Sequence, residues 1–312
     1  VLGPSLWNVF FHDVANEASC LGGKEQLFAD DLTVSKAYET NITNEEIAAD
    51  MTFTKKSVHA WGTRNRVEFD ADKEHVLIMH PRHGEGELVK LLGCTIDAKL
   101  TMSPAVDQLV ARVRPKVKAL LRTRGMYSHA DMMMQYKTHI WGIVEYHNGA
   151  IFHACETVLA KLDRVQTSFL EEIHSNDETG FLYYNFAPPV LRRDIGILGF
   201  LHKRVLGIGH PALAQFLPFS PLGSHWHNKQ LDSHLDSCTT LHALHALHER
   251  SIFGMVHVYN RLHQSLIDIP TVSEFQTELT RMARARCRRG DPEWKWSFHS
   301  SAQIWLTRRA MD

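Results

Sequence analysis

The sequence predicts an α+β fold, with short antiparallel strands and helices in its N-terminal third and helices thereafter. Three observations carry this. Short apolar runs bounded by Gly and Asp, such as Leu27-Phe28-Ala29 and Leu32-Thr33-Val34, have the length of strands rather than helices. From Ser103 onward the apolar period becomes helical, with Val106, Leu109, Val110, Val113, Val117, Leu120 and Leu121 on one stripe. The composition is globular, 44% hydrophobic and 22% charged, which excludes a disordered tail or a collagen-like fibre.

The elements follow in order. Pro4 opens a helical pattern with Leu6, Trp7, Phe10, Phe11 and Val14 on one face, and Gly22 and Gly23 break it. Two strand arms then flank a tight turn at Asp30-Asp31. Thr43 and Glu46 have the spacing of a capping box and open a helix that ends near Trp61-Gly62. Residues 66–69 and 75–79 read as short strands, and 88–92 and 94–96 as a pair around Gly93. Pro115 should kink or divide the helix that begins at Ser103. Further helices are expected at 130–146, 157–173, 189–195 and 200–216, with Pro188-Pro189 and the stretch 218–223 as punctuation. Residues 231–311 read as helices with polar breaks. The composition shifts near Ser103 and, more weakly, near Leu222, which suggests segments 1–102, 103–222 and 223–312.

Charge and cysteine usage narrow the function classes. Lys plus Arg number 34 and Asp plus Glu 35, so the chain is not basic as a whole and any nucleic-acid role must rest on local patches. The five cysteines, Cys20, Cys94, Cys155, Cys238 and Cys287, are odd in number and widely spaced. That argues against a disulfide framework or a zinc module and for a reducing, intracellular compartment, the nucleus included. No apolar run of about 18 residues occurs, so no membrane span is expected. The chain starts at Val1 with no signal sequence, as an internal fragment of a longer protein would.

Two adjacent carboxylates at a hairpin tip are unusual. Strand alternation sends Asp30 and Asp31 to opposite sides, one toward a cleft. A cleft carboxylate is a candidate ligand for Mg²⁺, a hard cation that prefers oxygen. Taken alone, an Asp-Asp pair in a turn is an ordinary solvated turn.

The surrounding residues add a resemblance. Phe28-Ala29-Asp30-Asp31 resembles the aromatic-X-Asp-Asp box of reverse transcriptases. Upstream, residues 1–10, with Leu2-Gly3-Pro4, resemble the end of that family's preceding motif. Downstream, residues 61–69 followed by Lys73 resemble the segment carrying the palm lysine, and residues 91–97 with Leu100 resemble the Leu-Gly primer-grip hairpin. The four blocks appear in the family's order, and the likeness is nearest to the non-LTR (LINE-type) retrotransposon enzymes over residues 1–177.

The resemblance implies a partial polymerase palm over 1–102, a helical thumb or connection over 103–222 and a helical C-terminal extension over 223–312. It implies RNA-directed DNA polymerisation by two-metal nucleotidyl transfer, with Mg²⁺ or Mn²⁺ as cofactor and an RNA template, a DNA primer and deoxynucleotides as partners. Asp30 and Asp31 would be the metal ligands. Lys73 would stand near the leaving pyrophosphate, although between Asp72 and Glu74 it also reads as a surface lysine. Gly3, Pro4, Phe28, Ala29, Leu92 and Gly93 would line the primer and nucleotide, although Phe28 could equally fill a core and Leu92-Gly93 form a plain turn. The family also needs an aspartate on an earlier strand, which this sequence lacks, so the chain alone is expected to be inactive.

Outside these blocks, no acidic residue lies between Asp107 and Asp131, while Arg112, Arg114, Lys116, Lys118, Arg122 and Arg124 do. A one-signed helix of this kind suits phosphates and would be a thumb helix along the primer–template. A second cluster, Arg281, Arg284, Arg286, Arg288 and Arg289 beside Trp294, Lys295 and Trp296, could bind single-stranded nucleic acid by charge and stacking, but reads better as a surface helix with docked tryptophans. His225, His227, His234, Cys238, His242, His245 and His248 are too irregularly spaced for a zinc site. Two other readings stand beside the polymerase fragment: a catalytically dead nucleic-acid-binding remnant, and a helical interaction module in which the acidic turn is incidental.

Overall fold

A computed structural model describes residues 3–39, 41–221, 227–232 and 242–300, with the backbone alone for 4 and 242–244. The fold is mixed α and β, mostly helical, and its strands form short antiparallel pairs. Contacts divide the chain into two units, Val1–Val89 and Lys90–Asp312. The change of period at Ser103 falls inside the second unit.

The first unit begins with α1 (Gly3–Ser19), followed by the hairpin of β1 (Lys24–Phe28) and β2 (Asp31–Ser35). Next come α2 (Asn44–Asn65) and a two-residue pair, β3 (Leu77–Ile78) with β4 (Glu85–Gly86). The Thr43–Glu46 capping box forms in both directions, the Glu46 amide donating to Thr43 Oγ1 at 3.3 Å and the Thr43 amide to Glu46 at 2.9 Å. The core is Phe11, Val14, Val58 and Trp61, with Trp7, Leu27, Leu32, Val67 and Phe69 packed on it.

Two expectations need correction here. The buried face of α1 is Phe11, Val14, Ala15 and Ala18, while Leu6 is 64% and Phe10 39% exposed. Residues 66–69 are not a strand. Helix α2 runs past Trp61-Gly62 to Asn65 and is closed by Arg66 in the left-handed region, φ 58°. The chain then folds back over Gly62, whose carbonyl accepts from the Val67 amide at 2.9 Å. A Cβ on Gly62 would stand 2.6 Å from the Val67 carbonyl oxygen and 2.9 Å from the Phe69 ring. The glycine is therefore a crossing point, and the apolar residues after it are a return packed on the helix.

The second unit takes in the hairpin of β5 (Val89–Leu91) and β6 (Cys94–Ile96), then α3 (Ser103–Leu121). Asp97 holds the entry to α3 by accepting from the Thr101 amide, the Thr101 hydroxyl and the Met102 amide at 2.7–2.9 Å. Pro115 does not divide α3; it lies on the exposed side, with the Ala111 carbonyl it cannot reach left on that side too. The chain continues through α4 (His129–Tyr136), a π-turn at Lys137–Trp141, α5 (Gly142–Tyr146), α6 (Asn148–Ile151) and α7 (Glu156–Glu172). The first core joins α3, α4 and α7 through Val106, Val113, Met133, Leu162 and Phe169.

Then follow α8 (Asp177–Tyr184), α9 (Pro189–Val205), α10 (Ala212–Phe216), α11 (His242–Arg250), α12 (Ile252–Tyr259), α13 (Gln264–Ile267) and α14 (Val272–Arg288). The second core packs α9, α12 and α14 around Leu198, Leu201, Tyr259 and Phe275. The two helices expected at 189–195 and 200–216 are in fact α9, continuous to Val205, and a separate α10. Gly199 is buried in α9, and a Cβ there would collide with the Gln276 side chain. It permits a close helix contact rather than a break. Among the described residues no helix is long and apolar enough to cross a membrane.

The histidine-rich stretch is described only in part. His225, His234 and Cys238, and the side chain of His242, lie outside the described residues. His227 is buried and bonds the Tyr259 carbonyl at 3.3 Å. Buried His202 stands between the Tyr259 hydroxyl, 2.9 Å away, and the Ile269 carbonyl, 2.8 Å away. Burial lowers the pKa of both, so each is held neutral as part of the packing.

Asp194 of α9 is buried with Oδ2 unpartnered, and that burial pushes its carboxyl up to about 8. Below about pH 4 it is protonated in both states; between about pH 4 and 8 only the unfolded chain ionises. Its contribution to stability therefore declines as pH rises through that window, by up to ~1.4 kcal/mol per unit. Asp194→Asn should leave the melting temperature nearly unchanged at pH 4 and raise it at pH 8, as read by thermal denaturation at both.

Candidate functional site

The acidic hairpin is built on strained backbone. Strand pairing brings Leu27 opposite Leu32 and Phe28 opposite Asp31, so the turn proper is Ala29-Asp30. Ala29 sits at φ 56°, a left-handed conformation that costs a non-glycine residue roughly 1–2 kcal/mol. An anchor offsets the strain: the Trp7 indole Nε1 donates to the Ala29 carbonyl at 3.0 Å, and its ring stacks on Phe11 at 5.0 Å. Helix α1 thus reaches from the core to the tip of the hairpin. Asp30 and Asp31 are both exposed, and Phe28 is 63% exposed, so Phe28 fills no core.

Lys73 lies in the same unit, on a short 3₁₀ turn at Ala71–Lys73. Its ammonium pairs with Asp70 at 3.0 Å. The hydrogen bond it donates to Asp70 holds its pKa above the usual lysine value, and the field of Asp30 adds to this. Lys73 therefore stands within electrostatic reach of Asp30 while remaining a largely exposed side chain. Gly3 opens α1 in open space; the side chain of Pro4 lies outside the described residues.

Two exposed carboxylates do not complete a Mg²⁺ site, which takes about six oxygens in octahedral array. Among the described residues no group of three or more His, Cys, Asp or Glu side chains could hold a metal ion. Among the described residues the donor set therefore falls short of a metal site.

In the second unit the Leu92-Gly93 turn has positive φ at both residues, 47° and 83°. That is the primed geometry of a two-residue hairpin. Both its carbonyls are clamped. The Tyr146 hydroxyl donates to Leu92 O at 3.1 Å, and buried His147 Nε2 bonds Gly93 O at 3.3 Å. No spacing in the sequence announces this clamp, since 54 residues separate the partners.

Helix α3 buries Val106, Leu109, Val110, Val113 and Val117 and leaves Arg112, Arg114, Lys116, Lys118, Arg122 and Arg124 exposed at and just past its end. At 100° per residue the cations fall into two rows, Arg112/Lys116 on one flank of the exposed arc and Arg114/Lys118/Arg122 on the other. The first five make no ion pair among the described residues; Arg124 has a long one to Glu172, 3.9 Å. The second basic cluster is paired only in part, Arg288 and Arg289 being exposed without an ion pair among the described residues. Arg281 pairs with Glu278, Arg286 with Asp291 and Lys295 with Asp177, while buried Trp294 stacks on Phe181 at 5.0 Å.

No protein-family model, no curated protein and no solved structure matches the chain.

The anchor can be tested directly. Trp7→Phe keeps the ring over Phe11 but removes the indole donor, and should loosen the β1–β2 hairpin by about 1 kcal/mol. Faster amide exchange in β1 and β2, with exchange in α2 unchanged, is the expected reading.

Proposed function

We propose that this chain is part of a LINE-type RNA-directed DNA polymerase, contributing the acidic hairpin and a thumb-like helix. On this reading the chain by itself binds nucleic acid but extends no primer. The observation that carries the proposal is the basic helix. Five cations without an ion pair among the described residues stand on a helix and its C-cap, the opposite face locked into a core, and phosphate is the ligand that suits a fixed, one-signed surface. Support for the family comes from the acidic hairpin, where an anchored two-residue turn presents Asp30 and Asp31, with Lys73 inside the field of Asp30.

The roles follow residue by residue. Asp30 and Asp31 would supply part of the metal-binding set of an intact enzyme, and Lys73 a positive charge beside it. Phe28, Ala29, Gly3 and Pro4 would border the primer terminus and nucleotide. Leu92 and Gly93 would present a clamped turn to the primer. Two carboxylates alone would under-coordinate the metal ions that neutralise a nucleotidyl-transfer transition state, hence the expected inactivity of the chain alone.

The test is binding of an RNA–DNA duplex across a salt series. Affinity should fall steeply with salt, and the triple variant Arg114→Gln/Lys118→Gln/Arg122→Gln should flatten the log–log slope by about 2–3. Binding that ignores salt, or no binding at all, would favour an interaction module instead. Primer extension on an RNA template should be absent with Mg²⁺ or Mn²⁺; extension that Asp30→Asn abolishes would show the site to be complete.

A further inference from the structure

Helix α3 runs out into Arg122-Thr123-Arg124-Gly125-Met126-Tyr127, and this tip is held in place on both sides. On one side the amides of Thr123, Arg124 and Met126 donate to the carbonyls of Leu120, Leu121 and Thr123 at 3.0, 3.2 and 2.9 Å, and the Thr123 hydroxyl to Leu120 O at 2.7 Å. On the other side Ser128 and Asp131 form the capping box of α4. Between these fixed pieces Met126 is 81% and Tyr127 46% exposed. The Tyr127 ring makes no aromatic contact and its hydroxyl no hydrogen bond among the described residues. A large side chain held out from a bonded turn, rather than left on a slack loop, is presented to a partner.

The neighbouring charge identifies that partner. Arg114, Lys118 and Arg122 stand one above another along α3, about 6 Å apart in rise, and the row leads to the tip. One row of cations tracks one backbone, and a half-exposed aromatic ring at its end suits a base whose own face is free. Duplex bases are already stacked on each other.

We propose that the α3 tip is a single-strand platform, on which an unpaired base of RNA or DNA stacks on Tyr127 beside Met126 while the phosphates of that strand run along Arg122, Lys118 and Arg114. The contact is tolerant of sequence, because every base has a π-face. The proposal rests on the reading of α3 as a nucleic-acid surface and adds the strand it accepts.

The experiment uses the whole chain and fluorescence anisotropy with two probes, a short mixed-sequence single strand and a blunt duplex. Tyr127→Ala should weaken single-strand binding about tenfold, the size of one stacked base, and leave the duplex and the salt slope unchanged. Tyr127→Phe should bind as the parent does, because stacking needs the ring and not the hydroxyl. Parent-like single-strand binding by Tyr127→Ala, with the Arg114/Lys118/Arg122 variant still flattening the slope, overturns the platform and spares the α3 reading. Equal weakening on duplex and single strand overturns the choice of strand. No effect of either variant overturns both.

Discussion

The burial of one valine-rich stripe of α3 is the constraint on which the second unit depends. Valine is a middling helix former, up to about 0.7 kcal/mol worse than alanine per residue. Removing each from water returns roughly 1.5–3 kcal/mol, so packing against α4 and α7 decides the helix. Once Val106, Val110, Val113 and Val117 are fixed inward, the charged residues between them have only the solvent arc to occupy. The same docking fixes the ends. Thr95 of β6 bonds Gln108 of α3 at 2.7 Å, and Asp97 ties the preceding loop. The Leu92-Gly93 turn, clamped by Tyr146 and His147, is therefore held in register with the helix that bears the cations.

The first unit shows the opposite economy, in which a small core supports a strained tip. Ala29 holds a conformation that glycine would take more easily, and one indole hydrogen bond reaches out to keep it there. The turn leaves no slack for Asp30 and Asp31 to turn away from solvent. Lys73 needs no burial to stay charged, since Asp70 sits three residues back and Asp30 is within its field. The hairpin thus presents two exposed carboxylates, with Lys73 within the field of Asp30.

Much of this was legible in the sequence where local physics dominates. The Thr43–Glu46 box, the hairpin around Asp30 and the stripe of α3 depend on residues a few positions apart, and all three form. What the sequence hid depends on contacts between distant segments. The gap expected between the helices at 189–195 and 200–216 is absent, with Gly199 letting Gln276 pack against α9, and Gly62 reads as a helix end until the Val67–Phe69 return is seen crossing it. The apolar run after Arg66 has a strand's composition but no partner strand. Leu6 and Phe10 fit the helical period of α1, yet the small hairpin beside them cannot cover the whole face. The Trp7 anchor and the Tyr146–His147 clamp involve carbonyl groups, which every residue carries and no motif can mark.

Ion pairing distinguishes the two basic clusters only in part: among the described residues Arg281, Arg286 and Lys295 are paired, while Arg288 and Arg289 make no ion pair, as in the α3 rows. A formal net charge of -1 says little about nucleic acid, because opposite charges that neutralise one another inside the fold drop out of the external field. Arg281, Arg286 and Lys295 are spent this way, each against a carboxylate within 3 Å. Arg193 is spent more deeply, bidentate to Asp163 at 2.5 and 2.8 Å in a buried site. Among the described residues the α3 rows have no such partners, and no acid between Asp107 and Asp131 is available to supply one. Asp107 itself is occupied by Lys161 at 2.8 Å. A near-neutral chain can therefore carry a basic face on one helix, since its net charge averages over segments of opposite sign.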